Sequence, residues 1–97
     1  MSNQINLGFQ IVPIANADKG YPIIDECIGK IQSSGIKYIV TPFETVLEGD
    51  YDEVMALVRT TYDLALTKSD ELVINIRIHA KNGQDVHGSE KTDKFNS

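Results

Sequence analysis

The chain has a single cysteine, no tryptophan, three prolines and no apolar run of membrane-spanning length. With Cys27 alone there is no internal disulfide and no cysteine-based metal site, and a reducing compartment is the simplest setting. No segment approaches the ~18 consecutive apolar residues of a membrane span. The opening Met1-Ser2-Asn3-Gln4 lacks the basic start and apolar stretch of a secretory leader. A cytoplasmic location is therefore expected by elimination. Basic residues are also few, nine Lys and Arg against 14 Asp and Glu, for a net charge of -5. Neutralising phosphate takes clustered Lys and Arg, so a nucleic-acid partner is not expected. The acidity suits a neutral or cationic ligand, although its commonest role is solubility.

The signatures of several chemistries are missing as well. There is no Cys-x-x-Cys pair for a metal chaperone and no glycine-rich phosphate loop. Paired exposed aromatics, which an RNA-recognition sheet needs, are lacking, since Phe9 falls on the core-facing phase. The loop 15–21 carries Lys19 and Gly20 but not the arginine of an acylphosphatase-like site. His79 and His87 have no carboxylate at ligand spacing on one element, so no metal site is expected. Ser33 and Ser34 have no histidine near them in sequence to serve as a base. No catalytic centre is visible.

What the chain does have is clear periodicity. Between Gln4 and Ile14, Ile5, Leu7, Phe9 and Ile11 share one phase, and Asn6, Gly8, Gln10 and Val12 share the other, which predicts a strand. Pro13 and the polar stretch 16–20 end it. Pro22 suits a first helical turn. Ile23, Ile24, Cys27, Ile28 and Ile31 follow at helical spacing, and Gly35 sits at a left-handed stop. Cys27, inside that helix, is expected in the core. A β-branched run from Ile36 to Thr41 predicts a second strand, bent at Pro42, and residues 45–48 a short third strand paired with it as a hairpin. Asp50 and Glu53 have capping-box spacing ahead of an apolar stripe, Tyr51, Val54, Met55, Val58, Tyr62 and Ala65, which predicts the second helix. Residues 71–79 alternate again, with Asn75, Arg77 and His79 on one phase.

The order strand, helix, strand, strand, helix, strand specifies an α+β, ferredoxin-like βαββαβ domain: a four-stranded antiparallel sheet with two helices on one face. Ninety-seven residues make one domain. Residues 1–80 are expected to form the ligand-binding domain and 81–97 a polar tail of that domain, with Phe95 its last apolar anchor and its order drawn from a partner subunit. The second sheet face would meet water or another copy of the chain. So short a chain buries only roughly 60–70% of its unfolded surface, and self-association would add stability.

The run Tyr38-Ile-Val-Thr41-Pro42-Phe-Glu-Thr45-Val-Leu-Glu48-Gly49-Asp50 concentrates two threonines and two glutamates on a hairpin. Thr is a good strand residue, and Glu48-Gly49-Asp50 also reads simply as a turn before a capped helix. The run nevertheless resembles the small thiamine-binding proteins of the YkoF-like superfamily, with their Tyr, Thr-Pro, Thr and Glu-Gly-acidic positions. The likeness extends from the first strand to about Ile78 and departs at Phe43-Glu44, where that family often has small or flexible residues. The resemblance implies a ferredoxin-like fold, dimers or tetramers, and non-catalytic binding of thiamine or its hydroxymethylpyrimidine moiety, with no other cofactor. Thr41, Thr45 and Glu48, with Tyr38, Gln10 and Asn75 as neighbours, are the expected ligand-binding residues. Thr, Asn and Gln can satisfy the donor and acceptor edges of an aminopyrimidine, and a carboxylate such as Glu48 can take its amino group or the thiazolium charge. Tyr38 would supply an aromatic wall. A one-residue slip in the hairpin would send Glu48 to the other sheet face.

Two alternatives stand beside this expectation. One is an oligomeric regulatory domain that senses another small molecule, such as an amino acid. The other is a small dimeric ferredoxin-like enzyme, which would need Arg77 or His79 deep in a cleft beside an acid; exposure of both would count against it.

Overall fold

A computed structural model of the chain describes residues 3–96, so Met1 and Ser2 of the opening segment and Ser97 of the tail lie outside the described residues. The elements follow the expected order with one addition: β1 (Gln4–Pro13), α1 (Ala17–Ser33), β2 (Lys37–Val40), β3 (Thr45–Asp50), α2 (Tyr51–Lys68), β4 (Leu72–His79) and α3 (Ser89–Asn96). The strands form one antiparallel sheet in the order β2-β3-β1-β4, which is the ferredoxin-like arrangement.

The period-two phase of β1 decides which side of the sheet is dry. Ile5, Leu7 and Phe9 are buried with Leu47 of β3, Ile31 of α1, and Val54, Leu57 and Val58 of α2. A second cluster joins Ile23 and Cys27 of α1 to Ala65 of α2. Cys27 is thus a core residue; burial, and then the charge of Glu26, pushes its thiol pKa up. The stripe of α2 is broader than the spacing predicts. Leu57 and Thr61 are buried, with the Thr61 hydroxyl donating to the Val58 carbonyl at 2.8 Å, whereas Tyr51 and Tyr62 are half-exposed at its margin.

Two local signals act as expected. Asp50 caps α2 by accepting from the N–H groups of Asp52 and Glu53 at 3.1 and 3.3 Å. Gly35, at φ 81°, follows the last turn of α1 in the left-handed region. The start of α1 differs from expectation. It begins at Ala17 and takes Pro22 into its interior, because the carbonyl of Asn16 already accepts from the N–H groups of Lys19 and Gly20.

The tail departs further. After β4, a turn bridged between Lys81 and Gln84, with Gly83 at φ 73°, reverses the chain. Val86 N–H then donates to the Gln4 carbonyl at 2.9 Å, and the Gln4 N–H donates to Asp85 Oδ1 at 2.7 Å. Val86, only 1% exposed, anchors the tail, while Phe95 is 77% exposed. The sheet face opposite α1 and α2 is therefore partly roofed by the chain's own α3.

Candidate ligand-binding site

Between α3 and this second sheet face lies a hollow of about 710 Å³. Its floor comes from the register. Glu48 pairs with Asn6 of β1 on one side and with Lys37 of β2 on the other, so all three side chains rise from the same face. The hairpin register thus resolves in favour of Glu48 facing the open side.

Glu48 is the centre of this cluster. Its side chain is 9% exposed, and Lys37 Nζ lies 3.0 Å from Oε2. Oε1 accepts from Asn6 Nδ2 at 2.9 Å and from the N–H of Gly88, which the tail brings down onto it. Burial by itself would raise the pKa of Glu48. The hydrogen bonds from Gly88, Asn6 and Lys37, together with the Lys37 charge, outweigh it and hold the carboxyl below its ordinary value. The tail is pinned beside it, because Gln4 Nε2 donates to the Val86 carbonyl at 3.0 Å and lies 2.8 Å from His87 Nδ1.

A second ion pair stands further along the face. Arg77 of β4 lies opposite Gly8 of β1, and its Nη2 is 2.5 Å from Glu44 Oε2. Glu44 and Arg77 border both the larger hollow and an adjoining one of about 440 Å³. Gln10 and Asn75, joined by a 3.3 Å bond, sit in the smaller one with Phe43.

The six expected site residues are therefore divided. Glu48, Thr41 and Tyr38 border the larger hollow, and Gln10 and Asn75 the smaller. Tyr38 pairs with Leu47 and packs its side chain against the core, on the helix side of the sheet. The Thr41 hydroxyl is engaged within its own turn, donating to the Glu44 carbonyl at 2.6 Å and accepting from the Glu44 N–H at 3.0 Å. Thr45, opposite Phe9, is on the helix side and borders neither hollow. Asn6, Lys37 and Gly88 belong to the cluster without having been expected there. The phase that Asn6 shares with Gln10 was a usable signal; nothing local marks Lys37 or Gly88. Among the described residues no group of three or more His, Cys, Asp or Glu side chains could hold a metal ion, and no helix is long and apolar enough to cross a membrane.

Fold and site together define a small ferredoxin-like domain with a hollow centred on the Glu48 carboxylate. Residues 7–96 match the family described as thiamine-binding protein, and the chain belongs to that family. It is 32% identical over 91 residues to a UPF0045 protein of Clostridium perfringens (strain 13 / Type A), covering 93% of this chain and 95% of that one. The structure of a domain of unknown function, DUF77, from Bacillus cereus superposes with a TM-score of 0.90 at 31% identity, over 98% of this chain and 92% of that one. A Thermotoga maritima protein provisionally assigned to thiamine biosynthesis or salvage gives a TM-score of 0.87 at 28% identity, over 95% and 98% of the two chains.

Proposed function

We propose that the chain binds thiamine or its hydroxymethylpyrimidine moiety, without catalysis, in the hollow over Glu48, and that it does so as a homo-oligomer. The observation that carries this reading is the part-buried Glu48 carboxylate, whose pKa is held below its ordinary value by its hydrogen bonds and the Lys37 charge. Oε1 is fixed by Asn6 and Gly88, whereas the partner of Oε2 is Lys37, whose own side chain is 66% exposed. An exposed lysine leaves such a pair at little cost. Oε2 can then accept from the amino group of an aminopyrimidine, a charge-assisted bond worth on the order of 1.5–3 kcal/mol.

Membership of the family, and the vitamin-related assignment of the Thermotoga maritima neighbour, support the same ligand class. The non-catalytic part is supported by the exposure of both Arg77 and His79, neither of which is held deep beside an acid as a general acid or base would be. Self-association is supported by the exposed apolar side chains Ile76 and Ile78 on β4, which is an edge of the sheet.

Calorimetry with thiamine and with hydroxymethylpyrimidine, against wild type and Glu48→Gln, tests the site. A Kd raised at least about tenfold in the variant is expected for both ligands. Equal affinities would remove Glu48 from the site. Sedimentation measures the assembly, and a monomer at all concentrations would end that part of the reading.

A further inference from the structure

Glu44 falls where the chain departs from its family resemblance, and the structure gives it a defined place. Its carboxylate lies so flat against β1 that a Cβ built on Gly8 would sit 2.7 Å from Oε2. A side chain at position 8 would hold it off the sheet. Glu44 is 27% exposed and has one cationic partner among the described residues, Arg77, whose side chain is 78% exposed. That pair is also the partition between the two hollows, since both residues border each of them. Asn6, beneath Glu48, and Gly8, beneath Glu44, are two residues apart on one face of a strand, roughly 7 Å. The open face thus carries two carboxylates over successive same-face positions of β1, each paired with an exposed cation.

We infer that Glu44 is the charge-selecting residue of the site: it is the counter-ion for a cationic group attached to the aminopyrimidine, so that the two-ring, positively charged ligand is preferred to the neutral single ring. This inference rests on the proposal that Glu48 takes the pyrimidine. A thiazolium joined to the pyrimidine through one carbon lies within reach of a second carboxylate at this spacing. It replaces Arg77, whose exposed guanidinium swings into solvent at small cost. Departure of Arg77 also opens the partition, so the second ring enters the smaller hollow beside Phe43, an exposed aromatic that favours a cation. Glu44 keeps a positive partner throughout.

The test compares thiamine with hydroxymethylpyrimidine on wild type, Glu44→Gln and Arg77→Gln by calorimetry. Wild type is expected to bind thiamine more tightly. Glu44→Gln should weaken thiamine about tenfold while leaving hydroxymethylpyrimidine unchanged, as removing one counter-charge from a part-buried site does. Retained hydroxymethylpyrimidine binding also reports that the variant is folded. Arg77→Gln should strengthen thiamine several-fold and leave the neutral ring unaffected. If both ligands bind wild type but their affinity ratio is the same in Glu44→Gln, the role of Glu44 is overturned and the pyrimidine site stands. If neither ligand binds wild type, both fall together.

Discussion

Gly8 and Glu44 are in contact across the sheet, with the carboxylate of one lying in the space where the other has no side chain. This fixes the consequence of a single methyl group. Gly8 has an ordinary backbone conformation, and the atoms its Cβ would meet are the far end of a flexible side chain. Gly8→Ala therefore leaves the melting temperature unchanged or raises it, by about 0.4–1 kcal/mol of stability through the unfolded chain. It nevertheless pushes Glu44 away from the floor and breaks its geometry with Arg77. A thermal melt beside a thiamine titration should show stability kept and thiamine preference reduced; loss of both, or of neither, contradicts the contact.

The lowered pKa of Glu48 predicts an acid-sensitive site. A carboxyl whose folded pKa lies below its unfolded value contributes stability above the unfolded pKa and loses it as pH falls through the folded one. Stability should thus decline as pH drops from the ordinary value near 4.5 downward. Glu48→Gln should flatten that part of the curve. Melting temperatures of the two proteins between roughly pH 3 and 7 measure it, and parallel curves would show that Glu48 does not contribute.

Val86 is the hydrophobic fastening of the tail. Truncating it to alanine should cost about 1–3 kcal/mol, the range for losing most of a buried valine, and should do so locally. Hydrogen exchange is expected to rise at residues 86–96 while β1 and β3 stay protected. Uniform loosening of the whole sheet would mean that the tail and core are one unit.

Cys27 gives a simple check of the core. Its buried, pKa-raised thiol should resist a thiol reagent in the native protein at about pH 8 and react fully in denaturant. Rapid native labelling would place Cys27 at the surface.

Much of the fold was written in local pattern. The alternation of Ile5, Leu7 and Phe9 fixes β1 and its dry face, the Asp50 cap fixes the start of α2, and Gly35 ends α1. The beginning of α1 was hidden because residues 16–20 are polar and precede a proline, and the capping there is done by a main-chain carbonyl that no side chain announces. The site was half legible. Glu48 is marked by its place before the Gly49-Asp50 turn, yet its face depends on pairing with Asn6 and Lys37, which is a long-range property. Thr41 and Thr45 attracted notice by type, but one closes a turn and the other faces the helices. Val86 was invisible because a lone apolar residue in a polar stretch has no period to betray it.

Gly88 N–H donates to Glu48, and the Val86 carbonyl accepts from the side chains of Gln4 and Asn6, so these bonds join positions 40 to 82 residues apart. During synthesis the four strands and two long helices can be in place while this corner is still unfinished. Only when residues 81–90 have left the ribosome can the carboxylate acquire the Gly88 N–H as a donor, so a chain cut short of Gly88 would keep the elements of its sheet and core while Glu48 lacks that hydrogen bond.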